Sequence, residues 1–210
     1  MSSNPTIAVL DYGMGNLRSV AKAFESRGAA VEITSDPAGL DRFDGCILPG
    51  VGAFPKAMDR ISRSGLDQAI TQFASTGRPV LGICLGLQLL FDSSDELGGA
   101  AGLGLLQGDV RTLETGGLKL PHIGWAEVQW KLESVLVEGI PSGETFYFVH
   151  SHVVHPAASA VVGTANYGEE FVCAVAVDNV FGVQFHPEKS SEAGLALVSN
   201  FVSLCQGREG

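Results

Sequence analysis

The stretch Val80–Asp92, VLGICLGLQLLFD, decides how the rest of the chain is interpreted. It opens as a short apolar run typical of a buried strand, and it continues over residues 85–91 with apolar residues at helical spacing. Cys84 stands between Gly82 and Gly86, where the first pattern gives way to the second. The stretch therefore predicts a strand, a tight turn and a helix, with a thiol at the turn.

The segments around this stretch alternate between strand and helix patterns. Runs typical of strands cover residues 6–12, 30–35 and 44–50, and helical spacing covers residues 16–28, 57–63 and 66–76. From about Gly108 the pattern changes to strand-like runs at 109–114, 145–152 and 161–168, then a hairpin of 172–177 and 180–188 joined through Asp178–Asn179, and a final amphipathic helix at 191–205. Alternation of this kind implies parallel strands covered by helices. We expect a single three-layer α/β domain over residues 1–210, with a mixed, mostly parallel sheet and helices on both faces.

Composition and charge exclude several classes of function. The 210 residues carry a formal net charge of -10, so the clustered cations that bind nucleic acid are missing. The first residues show no signal peptide, and no apolar run reaches the roughly 18 residues of a membrane span. The four cysteines form no C-x-x-C pair, which favours reduced thiols. We expect a soluble, cytoplasmic protein that binds neither nucleic acid nor membrane.

Cys84 has the sequence context of a nucleophile. A thiol that follows a buried parallel strand lies at the carboxyl edge of the sheet, where open α/β folds place ligands. The G-x-C-x-G pattern has the same logic as the G-x-S-x-G elbow, and the start of the predicted helix favours a thiolate. The amide of Leu85 would then be free to bind an oxyanion. The alternative is that Cys84 is an ordinary buried residue.

A cysteine nucleophile needs a base and a group that orients the base, and the segment VQFHPEKSS supplies both. Residues two apart in an extended segment face the same side, so His186 and Glu188 can lie together. His186 would take and return the proton, and Glu188 would hold the imidazole. An ordinary surface turn is the alternative.

A second glycine-rich turn, LPGVGAF at residues 48–54, should reach the same edge of the sheet. Gly50 and Gly52 permit a backbone arrangement whose amides could complete an oxyanion hole. The turn lacks the Lys-Ser or Lys-Thr that closes a P-loop, and an ordinary strand-to-helix loop is the alternative.

The motifs PGVGAF, GICLGLQLLF and HPEKS, in this order, resemble those of the class I (triad) glutamine amidotransferases, whose fold is flavodoxin-like. The segments DYGMGNL, GLGLLQGDV, LPHIGW, FYFVHSH and QFHPEKS further resemble the glutaminase subunits of imidazole glycerol phosphate synthases of histidine biosynthesis.

The resemblance implies a catalytic triad of Cys84, His186 and Glu188 that hydrolyses L-glutamine to glutamate and ammonia through a thioester. It implies an oxyanion hole from the amides of Val51 or Gly52 and of Leu85. It places the following residues at the substrate: Gly50, Gln88, His150 and Ser151. No metal and no organic cofactor are implied, because thiolate, imidazole and amide dipoles suffice for acyl transfer.

The resemblance also implies a partner. This would be a separate (βα)₈-barrel cyclase subunit, in a heterodimer, that receives the ammonia and makes imidazole glycerol phosphate and an aminoimidazole carboxamide ribotide. The positions that match the interface are Asn16, Trp125, Tyr147 and Lys189. Two positions depart from the usual pattern, since Ala126 stands where Asn is common and His152 where an aromatic residue is common.

Other interpretations stay open at the level of sequence. HSHVVH could place His150, His152 and His155 around a metal, although neither a carboxylate nor a cysteine stands nearby in sequence. A γ-glutamyl hydrolase or cysteine peptidase could use the same cysteine and histidine. The chain could serve another synthase, such as that of pyridoxal phosphate or anthranilate. A flavodoxin-like binding or regulatory module would keep Cys84 as a redox or packing residue.

Overall fold

The computed structural model describes residues 4–207, and its first half alternates strands and helices as predicted. In chain order the elements are β1 (Thr6–Leu10), α1 (Leu17–Glu25), β2 (Ala30–Thr34), β3 (Gly45–Gly50), α2 (Phe54–Ser64), α3 (Leu66–Ser75), β4 (Val80–Cys84) and α4 (Leu85–Leu89). Gly65 has a left-handed backbone, with φ 77°, and divides α2 from α3. Glycine adopts this conformation without steric cost, which explains why the helical pattern breaks there.

The second half is mainly strands and ends in a long helix. Its elements are β5 (Phe91–Ser94), β6 (Ala100–Ala101), β7 (Leu106–Thr112), β8 (His122–Glu127), β9 (Gln129–Trp130), β10 (Thr145–His150), β11 (His152–Pro156), β12 (Val161–Tyr167), β13 (Glu169–Val177), β14 (Val180–Val183) and α5 (Ser191–Gln206). The predicted hairpin is confirmed, because β13 and β14 pair antiparallel on either side of Asp178 and Asn179.

A mixed sheet organises the fold. Its strands lie in the order β2-β1-β3-β4-β14-β13-β11-β7-β5-β6, with β12 paired to β13 and β9. The five strands from β2 to β14 in this order run parallel to one another, whereas β14 is antiparallel to β13. Strands β8 and β10 form a separate two-stranded sheet. The carboxyl ends of β3, β4 and β14 therefore meet at one edge. Whatever follows these three strands is brought together there.

Helices cover both faces of the sheet, as predicted. On β1, Ile7 and Val9 pack in one apolar cluster with residues of α1 and α5. The alternate residues Ala8 and Leu10 pack in a second cluster with residues of α2 and α3. This alternation is what the period-two geometry of a strand buried on both faces requires. Among residues 4–207, no helix has the length and apolar character needed to cross a bilayer.

Three elements differ from the prediction. The strand expected over residues 180–188 ends at Val183. The helix expected over residues 85–91 ends at Leu89, because the amides of Leu103 and Leu105 bond the carbonyls of Leu89 and Leu90, and the chain then extends into β5. The strand expected over residues 145–152 is divided at Ser151 into β10 and β11, which belong to different sheets.

Candidate active site

Cys84 occupies a strained turn between β4 and α4. Its φ of 56° lies in the left-handed region, which costs energy for a residue with a side chain. A Cβ added at Gly86 would overlap the carbonyl oxygen of Leu48, and one added at Gly82 would lie 2.6 Å from the carbonyl oxygen of Gly86. The two glycines thus leave room for the turn, and the predicted elbow is confirmed.

His186 and Glu188 form a buried pair beside the elbow. The Nδ1 atom of His186 lies 3.0 Å from Oε1 of Glu188, and their side chains are only 6% and 2% exposed. The expectation that an extended segment aligns them was wrong in its geometry, because residues 187–189 form a 3₁₀ turn that carries Glu188 back toward the ring. The pairing itself is as predicted.

The environment of His186 favours its charged form. Burial alone would lower the pKa, but interactions with Cys84 and with Glu188 outweigh it and raise the pKa of His186 to about 9. Because Nδ1 faces Glu188, Nε2 is the ring nitrogen left for the thiol. An imidazolium at neutral pH can both stabilise a thiolate and donate a proton.

The PGVG turn lies against the elbow. The Tyr12 hydroxyl donates to the carbonyl of Pro49 at 2.8 Å, and a Cβ at Gly50 would overlap that hydroxyl. Burial raises the pKa of Tyr12, so the group stays a donor. Gly52 has φ 106°, a conformation that favours glycine. Tyr12, from the DYGMGNL segment, therefore packs against the turn and holds it through this hydrogen bond.

A cavity of about 400 Å³ opens over the thiol, a size that suits a small ligand. Its lining residues are Val51, Gly52, Cys84, Leu85, Gln88, Glu96, Pro121, Val149, His150, Ser151, His152, His186 and Lys189. The structure therefore brings together at one cavity every predicted catalytic, oxyanion and substrate residue except two. Glu188 lies behind His186, and Gly50 lies against Tyr12.

Glu96 and His152 form a polar part of the wall that the sequence did not reveal as a pair. Oε1 of Glu96 lies 4.0 Å from Nδ1 of His152, and both side chains are mostly buried. The other carboxylate oxygen, Oε2, accepts the amide of Phe54 at 2.7 Å. This contact gives a physical reason for the unusual His152. No local sequence motif identifies Glu96 as a site residue, because it reaches the cavity only through the turn that follows β5.

Two predicted substrate residues use their side chains inside the protein. The ring of His150 makes two hydrogen bonds. Its Nε2 lies 3.0 Å from Nδ1 of His122, and its Nδ1 lies 3.1 Å from the carbonyl oxygen of His152. Burial lowers the pKa of His150 to about 3. Gln88 donates to the same carbonyl and to the side chain of Gln184. The contact of His150 and Gln88 with substrate stays a prediction. The groups that remain available to a substrate are the backbone of β10 and the side-chain oxygen of Gln88.

Three of the four predicted interface residues lie together. The ring centroids of Trp125 and Tyr147 are 5.9 Å apart, and the Lys189 ammonium lies 5.9 Å from the centroid of the Tyr147 ring. Trp125 is 51% exposed. Asn16 is exposed at the start of α1. Ala126 packs on the inner face of β8 against the core.

The histidines of HSHVVH do not converge. His150 is buried on β10, whereas His152 begins β11 and His155 is exposed. Within residues 4–207, no group of three His, Cys, Asp or Glu side chains is arranged to hold a metal ion.

Known proteins are similar to this chain in sequence over almost its whole length. The chain is 52% identical over 199 residues to the "Imidazole glycerol phosphate synthase subunit HisH" of Moorella thermoacetica, covering 94% of each chain. It is 45% identical to the HisH protein of Gloeobacter violaceus, covering 99% of this chain and 93% of the relative.

Solved structures with about one-fifth identity share the fold. A chain of PurLQS from Thermotoga maritima has a TM-score of 0.76 at 21% identity, covering 95% of this chain and 98% of that one. A crystal structure described as a glutamine amidotransferase has a TM-score of 0.74 at 19% identity, covering 95% and 98%. The family model described as glutamine amidotransferase class-I matches residues 8–204. The chain therefore belongs to the class I glutamine amidotransferase family.

Proposed function

We propose that the chain is the glutaminase subunit of an imidazole glycerol phosphate synthase and hydrolyses L-glutamine to glutamate and ammonia. The observation that carries the chemistry is the line of groups from Glu188 through His186 to Cys84, which ends at the floor of the cavity. A buried carboxylate, an imidazole and a thiol in this order make an activated nucleophile.

In the first half of the reaction, the Cys84 thiolate attacks the side-chain carbonyl carbon of glutamine. The new C–S bond moves an electron pair onto the oxygen, which the amides of Leu85 and of Val51 or Gly52 stabilise. The imidazolium of His186 gives its proton to the amide nitrogen as the C–N bond breaks. Ammonia leaves, and the γ-glutamyl thioester remains.

In the second half, His186 is neutral and acts as the base. It removes a proton from water, the oxygen attacks the thioester carbonyl, and glutamate leaves as the thiol is restored. Glu188 keeps the ring oriented through both halves and stabilises the imidazolium. His186 thus donates one proton to the departing ammonia and takes up another from water.

Glu96 is the group that we propose for recognition of the amino-acid end of glutamine. It is an acidic side chain on the cavity wall, held in place by the amide of Phe54. A mostly buried carboxylate suits the α-ammonium group of the substrate, because charge-assisted hydrogen bonds are strong. Glu96→Gln should raise KM for glutamine more than it lowers kcat.

The second subunit is proposed to be a cyclase with a (βα)₈ barrel. Relatives of 45% to 52% identity are named as synthase subunits, which supports an assembly. The exposed side of β8 offers Ile123 and Trp125, which are 60% and 51% exposed. Large exposed apolar side chains next to an active site are typical of a docking surface.

Glutamate release by the purified chain, with and without the cyclase, tests this function. Release that needs Cys84 and rises with the cyclase supports it. Cleavage of a peptide or of a γ-glutamyl chain by the isolated protein, with glutamine untouched, would contradict it. Activation by a different synthase would keep the chemistry and overturn the pathway.

A further inference from the structure

We propose that Gln184 is a positioning residue for the nucleophile, because its side-chain amide donates a hydrogen bond to the sulfur of Cys84. The part of this inference that concerns glutamine turnover rests on the proposed function. Gln184 follows β14 and is fully buried, two residues before His186. Its Nε2 lies 3.7 Å from Sγ of Cys84, within the range of a hydrogen bond to sulfur.

The orientation of this amide is determined by one backbone carbonyl. The oxygen of His152 can only accept, so the group that Gln88 presents to it at 3.1 Å must be its NH₂. The second N–H of Gln88 then donates to Oε1 of Gln184 at 3.0 Å. The NH₂ of Gln184 is left to face the sulfur.

The same carbonyl fixes a second branch. His150 must donate to it through Nδ1, so Nε2 of the neutral ring accepts from His122. Low pKa values, caused mainly by burial, keep both of these rings neutral. The network that holds Gln184 is therefore a set of neutral donors and acceptors with one consistent direction. Nothing in it can turn Gln184 around at neutral pH.

The short helix after the elbow explains why such a donor matters. A helix of five residues, Leu85–Leu89, has few aligned peptide dipoles to favour a thiolate. His186 supplies charge, but it must also give up its proton during the reaction. A fixed neutral amide stabilises the sulfur anion before it attacks and again when the thioester is cleaved, and it takes no part in proton transfer.

The test follows alkylation of Cys84 by iodoacetamide as a function of pH, read by mass spectrometry on the peptide that contains it. Gln184→Met keeps the length of the side chain and removes the donor. We expect the midpoint to rise by about one pH unit, and kcat for glutamine to fall about tenfold with KM little changed. Gln72→Met, an exposed change on α3, is the matched control and should shift neither.

A second variant tests the network. Gln88→Met removes the group that orients Gln184, so it should raise the midpoint in the same direction, and the double variant should shift no further than Gln184→Met alone. If Gln184→Met does not fold, Gln184→Asn keeps the amide but shortens its reach, and the same rise is expected.

An unchanged midpoint in Gln184→Met or Gln184→Asn overturns the proposal, even if stability falls, because a packing role would lower stability alone. Additive shifts in the double variant overturn the orienting role of Gln88. Alkylation needs no glutamine, so a wild-type chain that releases no glutamate would refute the proposed function while the midpoint still decides the role of Gln184.

Discussion

The parallel half of the main sheet and the two-stranded sheet of β8 and β10 meet at the same cavity but are built in opposite ways. Every residue of β3 and of β4 is buried, and these strands end at the PGVG turn and at Cys84. Strand β8 alternates, with His122 inside and Ile123 and Trp125 outside. A scaffold packed on both faces therefore holds the reacting groups, whereas a strand with a free face presents a surface.

Loss of the nucleophile, at the end of the buried strand β4, should have the largest effect on activity. Cys84→Ala removes the sulfur that forms the thioester, so we expect glutamate release to fall a thousandfold or more, about the limit of detection. Thermal unfolding should show that the fold is retained. Release at more than a tenth of the wild-type rate would place the chemistry elsewhere.

Loss of the buried carboxylate should give the next largest effect. Glu188→Gln keeps the shape but removes the charge that stabilises the His186 imidazolium, so kcat should fall by about 10²–10⁴. The matched control is Glu192→Gln on α5, where the side chain is 94% exposed and should be neutral. A loss below tenfold would mean that Glu188 only packs.

The charge on His186 should appear as a pH dependence of stability. Its folded pKa of about 9 lies above the ordinary value of 6.5, so its contribution is fully present below pH 6.5 and is lost as pH rises through 9. The difference in free energy of unfolding between wild type and His186→Asn should therefore shrink between these pH values, by at most about 3 kcal/mol. A difference that is constant or grows with pH would contradict this.

The exposed strand should respond in the opposite way to the parallel half. Trp125→Ala should weaken binding of the cyclase about 30-fold, the effect of an aromatic anchor worth about 2 kcal/mol, and should leave release by the free chain unchanged. The control is Val177→Ala, which changes an exposed apolar residue at the end of β13, in the hairpin with β14. Unchanged affinity in Trp125→Ala, measured by titration calorimetry, would remove β8 from the interface.

The same contrast explains what the sequence could predict. The strand–cysteine–helix stretch and the HPE segment are local patterns, so the elbow, the triad pairing and the layered fold follow from them. The pairing of Glu96 with His152 and the contact of Gln184 with Cys84 join residues 56 and 100 apart, which no local pattern encodes. The helix after Cys84 was overestimated because Leu103 and Leu105 bond its end, a tertiary effect that apolar spacing cannot reveal.

The most direct test of the account is glutamate release from glutamine by the purified chain, alone and with the cyclase and its nucleotide ligand, beside Cys84→Ala. We predict release that rises with the loaded cyclase and disappears in the variant. Release that survives Cys84→Ala, or that is absent in the wild type under every condition, would contradict it.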